Sequence, residues 1–194
     1  MKKTNIGNFF LTLGVVLLLA CVAFIGYNIY QTENANEVSA QIASEIKITV
    51  PNAEKAEYNH PKTEMPEKQV DGTSYIALLD IPKLKLTLPV ASTWSKAQLK
   101  KTPCCYSGSL YADNFVIAGH NYRSHFKHIS KLVNGDSVRL TDMNGTVFEY
   151  EVDAVDVLEP TAIEEMTAGN WPLTLFTCNP SGTYRIAVRC RAAE

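Results

Sequence analysis

From Phe9 to Tyr30 the chain carries no charged residue. The run reads FFLTLGVVLLLACVAFIGYNIY, and a helix of about 20 apolar residues matches the hydrocarbon thickness of a bilayer. Nothing else in the 194 residues restricts the fold as strongly. In lipid a backbone must satisfy its own hydrogen bonds, so the segment has to be helical. A cleaved secretory leader is the alternative, but its apolar stretch is shorter, about 7 to 15 residues, and ends at a small-residue cleavage site. Tyr27 and Tyr30 stand where interfacial anchors belong, and Lys2 and Lys3 hold the N-terminus on the cytoplasmic side. The expectation is a cytoplasmic segment over 1–8, an uncleaved transmembrane signal anchor over 9–30, and a single-pass protein whose remainder lies outside the cell membrane. Cys21 falls inside the run and faces lipid or a packed neighbour.

Beyond the anchor the composition changes. Residues 31–71 are polar, rich in Glu, Asn, Ala and Lys, and interrupted by Pro51, Pro61 and Pro66. They read as an extracellular stalk with too little apolar content for a core of its own. Ala40–Ile46 has room for a short helix, and His60, beside Pro61, reads as a solvated histidine. A formal net charge of −2 without a basic stripe gives nucleic acid no footprint. Five cysteines with no CxxC pairing argue against a zinc ribbon. A disulfide from Cys104 or Cys105 to Cys190 stays open, because spacing alone does not set connectivity.

The globular domain is expected over 72–194. Tyr75–Asp80 reads as a strand, Ile81-Pro82-Lys83-Leu84 as a turn, and Lys85–Val90 as the next strand. Ser92 or Thr93 caps a short helix running to Lys100. Tyr106–Leu110 reads as loop and Phe115–Ala118 as an apolar strand. Ser124 caps a helix over 125–132, with Phe126, Ile129 and Leu132 inward and His125 and His128 on the surface. Asn144-Gly145 is a hairpin signal. After it Phe148, Tyr150, Val152 and Ala154 alternate with Glu149, Glu151 and Asp153, a half-buried strand with an acidic outer face. Solvation explains those acids better than calcium binding does, and no cofactor is expected. Residues 159–171 connect to a strand ending at Cys178, and a dense turn, Asn179-Pro180-Ser181-Gly182, leads into a last strand from Tyr184 to Cys190. Many short strands with regular turns imply an all-β closed or nearly closed sheet with short helices.

Three reactive groups sit at strand ends. Cys178 ends Thr174-Leu175-Phe176-Thr177-Cys178, His120 follows Ala118-Gly119, and Arg185 follows Cys178 across one turn. A rigid strand end facing an open loop suits a nucleophile. The plainer reading of Cys178 is a buried structural thiol, and the plainer reading of Arg185 is a surface strand residue. Arg189 and Arg191 share its face by period two.

The TLxTC sequence, the Ala-Gly-His ahead of it and the Arg on the following strand resemble the sortases, cysteine transpeptidases of Gram-positive cell surfaces. The resemblance extends over roughly residues 73–191, including an Ile-Pro-Lys turn between the opening strands. It implies an eight-stranded β-barrel, with Cys178 as nucleophile, His120 as general acid and base, and Arg185 stabilising substrate and oxyanion. The implied substrate is an LPxTG-type sorting signal of surface proteins. The implied acceptor is an amine, from lipid II or the peptidoglycan stem peptide in cell-wall anchoring or from a pilin lysine in pilus assembly. No Asp-Pro-aromatic lid precedes the domain, no second apolar run follows Arg191, and 159–171 has no room for a long inserted helix. Class D or E is therefore favoured over A or B, and anchoring over pilin polymerisation. A cysteine protease hydrolysing the same acyl-enzyme, and an inactive membrane-tethered binding module, are the readings from other classes. The intact Cys–His–Arg set counts against the second.

Overall fold

The computed structural model describes residues 3–49, 54–55 and 64–193. His60, Pro51 and Pro61 lie outside the described residues. The N-terminal sequence forms one helix, α1 (Lys3–Thr49), and the chain divides into two compact units, Met1–Asn34 and Ala35–Glu194. In the first unit Leu17, Leu18 and Leu19 are exposed. Among the described residues one helix is long and apolar enough to cross a membrane.

Among the described residues the second unit holds ten strands: β1 (Glu54–Lys55), β2 (Lys68–Val70), β3 (Thr73–Ile81), β4 (Leu86–Ala91), β5 (Cys104–Ser107), β6 (Phe115–Ala118), β7 (Ser137–Asp142), β8 (Thr146–Leu158), β9 (Leu173–Cys178) and β10 (Arg185–Ala192). Eight of them, β3 to β10, close into a barrel in the order β3-β4-β5-β6-β9-β10-β8-β7, with β7 pairing back to β3. The β4–β5 and β6–β9 contacts are parallel, and the other contacts around the ring are antiparallel. The short β1 adds to β8 and β2 adds to β3. Two one-turn helices, α2 (Lys96–Leu99) and α3 (Ile163–Thr167), lie in the connections.

Alternation drives the barrel. Phe148, Tyr150 and Val152 of β8 are buried, while Glu149, Glu151 and Asp153 between them are half-exposed. The β7–β8 hairpin turns at Gly145, whose φ of 90° suits a glycine. Phe115, Ile117, Leu175 and Val188 fill the interior with them. On the outer face Val116, Phe176 and Ala187 pack under Met166 of α3.

Several expectations are corrected. Residues 35–46 are not a free stalk. Ala35, Ser39, Ile42, Ala43 and Ile46 are buried, spaced as one face of a helix. Ile42, Ala43 and Ile46 pack with Val70, Tyr75, Leu78, Ala91 and Cys104, so the compact unit starts at Ala35 and not near Gly72. The helix after β4 is capped by Ser95, which accepts from Gln98 N at 3.0 Å, and not by Ser92 or Thr93. Cys104–Ser107, expected in part as loop, is strand β5. Residues 123–128 form consecutive turns ending in a 3₁₀ turn at Ile129–Lys131, not a regular helix. Phe126, Ile129 and Leu132 are buried as expected, but so is His125. In this irregular path neighbouring residues both point inward, Phe126 beneath Gly119 and His125 against α1. All five cysteines are unpaired. Cys104 packs against α1, whereas Cys190 belongs to the barrel interior.

Candidate functional site

β9 and β10 form a tight antiparallel pair in which Cys178 stands directly opposite Arg185. The turn between them is held by its own side chains: Asn179 Oδ1 accepts from Tyr184 N at 3.1 Å, and Asn179 Nδ2 donates to Ser181 and Thr183. By the period of two, Cys178 shares the outer face of Phe176, while Leu175 points into the barrel. The thiol is exposed, so the structural-thiol reading does not describe it. Arg185 donates to the carbonyls of Gly182 and Tyr184 at 3.2 and 3.3 Å. Those bonds aim the guanidinium along the strand end without tying it to a carboxylate.

The parallel β6–β9 register brings in the third residue. Ala118 pairs with Phe176, and Gly119 N donates to Phe176 O at 2.9 Å. His120 and Cys178 therefore leave the same end of adjacent strands. A Cβ on Gly119 would overlap the Phe126 ring, so the strand exit needs glycine. His120 is half-buried, and its ring stacks on Tyr122 with centroids 3.9 Å apart and planes 9° from parallel. Burial, with a smaller contribution from the Lys100 charge, holds the imidazole below its ordinary pKa.

A groove of about 320 Å³ opens beside these groups, with Cys178 and Arg185 in its wall. One side is aromatic: Trp94, Tyr106 and Phe176 meet edge to face, at 6.5 and 5.0 Å between successive centroids. The other side is Ile163 and Met166 of α3. Arg189 holds that helix in place. Its buried guanidinium donates to Asp156, to Thr174 Oγ1, and to the Glu165 and Met166 carbonyls at 2.9 to 3.3 Å. Arg191 pairs instead with Glu151, its cross-strand neighbour, at 3.1 Å. Of the three strand arginines, only Arg185 lines the groove. Sequence reasoning overlooked the aromatic wall and the grip of Arg189 on α3. Trp94 and Tyr106 lie in segments that read as the start of a capped helix and as loop, where nothing local marks a shared pocket.

Chemically, an exposed thiol, a nearby half-buried imidazole and a guanidinium bonded to no carboxylate among the described residues, around an apolar groove, can carry out acyl transfer on a peptide. The sortase-domain family model matches residues 79–193. Sortase D of Bacillus subtilis (strain 168) is 24% identical over 173 residues, covering 84% of this chain and 86% of that one. Among solved structures, a Clostridium perfringens sortase D5 transpeptidase superposes with a TM-score of 0.61 at 22% identity, covering 81% of this chain and 99% of its own. Sortase A from Corynebacterium diphtheriae gives 0.55 at 21% identity, covering 91% and 93%. Sortase E from Streptomyces avermitilis gives 0.52 at 31% identity, covering 62% and 88%.

Proposed function

This chain belongs to the sortase family, and on that premise we propose that it is a membrane-tethered cysteine transpeptidase. It cleaves an LPxTG-type sorting signal and joins the new C-terminus of a surface protein to a cell-wall amine. The observation that carries the reading is the strand-end set: Cys178 opposite Arg185, with His120 leaving the adjacent parallel strand at the same end.

The groove takes the Leu-Pro part of the signal against Trp94, Tyr106 and Phe176. Cys178 Sγ, as thiolate, attacks the Thr carbonyl carbon. The carbonyl oxygen becomes an oxyanion, and the Arg185 guanidinium, which keeps its charge, donates to it. His120 as imidazolium gives its proton to the departing Gly amine, the C–N bond breaks, and a thioester remains on Cys178. Neutral His120 then takes a proton from the incoming amine as that amine attacks the thioester. The amide forms, and the Cys178 thiolate is released. A lowered His120 pKa favours the second role and makes the imidazolium needed for the first scarcer at neutral pH.

The acceptor is lipid II or the peptidoglycan stem peptide, and class D or E is the reading in keeping with the relatives. No metal or cofactor has a role in these steps. The Phe9–Tyr30 run of α1 spans the membrane with Lys2 and Lys3 inside, which puts the barrel outside. The test is mass spectrometry of the purified chain with a panel of sorting peptides and amines. The expected result is a thioester adduct on Cys178 and amide product only when an amine is present. Hydrolysis alone with every amine would make the protein a thiol protease, and preference for a pilin lysine would make it a pilus polymerase.

A further inference from the structure

Behind His120 a line of side chains runs back to α1. Ser39 Oγ is buried and donates to the Lys101 carbonyl at 2.8 Å. Its other neighbour is His125 Nε2, at 3.4 Å. The serine has one proton and Lys101 O receives it, so His125 Nε2 carries the ring proton and directs it at Ser39 Oγ and the Lys101 backbone. His125 is fully buried, and its Nδ1 has no hydrogen-bond partner among the described residues. A second proton there would put a charge in the interior, and burial pushes the pKa down to about 4. The imidazole is thus neutral and fixed in one tautomer. Its ring packs on Tyr122 at 5.7 Å between centroids, tilted by 41°. Tyr122 in turn lies flat on His120.

The backbone of this loop closes on itself. Phe126 N donates to His120 O at 3.1 Å, and His125 N to Tyr122 O at 3.0 Å. These bonds set the path of the chain but leave the His120 ring free to turn about its side-chain bonds. The flat stack on Tyr122 removes that freedom by covering one face of the imidazole. Tyr122 is backed by His125, and His125 by Ser39 of the helix together with the Lys101 backbone.

We propose that Ser39, His125 and Tyr122 are positioning residues that brace the His120 ring, making the Ala35–Ile46 part of α1 a working component of the catalytic site. The proposal rests on the assignment of His120 as acid and base. It gives the helix a task beyond tethering: a chain whose helix is undocked keeps its nucleophile and groove but has a misaimed proton donor. Small misplacements of a reacting group cost on the order of 10²-fold in rate.

The experiment uses the full chain in lipid nanodiscs, with histidine labelled at Cε1 for NMR. Wild type, Ser39→Ala, Tyr122→Leu, Tyr122→Phe and His120→Ala are compared for transpeptidation and for the titration of His120. Ser39→Ala and Tyr122→Leu should lower kcat by roughly 10-fold or more, with KM for the sorting peptide within about twofold. In both, the His120 titration should move up toward the ordinary histidine value as the ring loses its cover. Tyr122→Phe keeps the ring and should restore rate and titration. An unmoved His120 titration in folded Ser39→Ala and Tyr122→Leu chains overturns the brace, whatever the rates do. Ser39→Ala removes one oxygen and favours helix, so its titration decides the matter even where Tyr122→Leu fails to fold. A fully active His120→Ala would instead overturn the parent assignment.

Discussion

Arg185 and Arg189 stand on one strand face and are employed in opposite ways. Arg189 is 3% exposed and has every guanidinium nitrogen engaged with Asp156, Thr174 or the α3 carbonyls. Among the described residues Arg185 donates only to carbonyls of its own turn. Arg185→Lys should therefore lose on the order of 10²-fold in kcat, as removal of one oxyanion donor does, with an unchanged melting temperature. Arg189→Ala should instead cost roughly 2–3 kcal/mol of stability, read by urea unfolding, because its bonds are made by a charged group. At the thiols, intact-mass spectra with a sorting peptide should show the acyl adduct in Cys104→Ala and Cys190→Ala chains and none in Cys178→Ala. Period two placed both arginines on the same face but could not rank them. What separates them is Asp156, which is remote in sequence and adjacent only once β8 pairs with β10.

At the scale of elements, the strands were largely legible because alternation and turn residues are local signals. β8 and its Asn144-Gly145 turn read directly from the letters. β5 did not, since Cys-Cys-Tyr-Ser has no alternation and its strand character comes from β4 and β6 on either side. The docked part of α1 was missed because its stripe is built partly from Ala35, Ser39 and Ala43, small residues that carry little hydrophobic signal. The candidate residues at the strand ends were readable, but the loop behind His120 was not, because its burial depends on that unseen helix. Gly119 is where two elements meet, the exit of β6 and the Phe126 ring. Gly119→Ala should cost about 1–3 kcal/mol by overpacking and displace His120. Urea unfolding and transpeptidation should fall together, and a fully active, equally stable variant would contradict the packing described here.

For the molecule as a whole, the buried His125 makes stability depend on pH. An unfolded chain protonates this histidine near pH 6.5, whereas the folded one resists to about 4. Between those values the unfolded state binds the extra proton, so stability falls as pH drops from 6.5 toward 4, by up to about 1.4 kcal/mol per pH unit from this group. Burial of His120 lowers its pKa too, which acts in the same direction. Urea midpoints should drop between about pH 7 and pH 5, and His125→Gln should flatten the slope. Removing residues 1–46 should destabilise the barrel by at least about 4 kcal/mol, taking about 2 kcal/mol each for Ile42 and Ile46, while a chain beginning at Ala35 keeps wild-type stability. The β6–β9 pairing has a further consequence in time. It joins Phe115 to Leu173, a contact that closes a long loop, and such contacts form late and slowly. The thiol and the imidazole come from different sides of that closure. A chain still folding thus holds Cys178 and His120 apart, and the two side chains reach the same end of adjacent strands only when the barrel is shut.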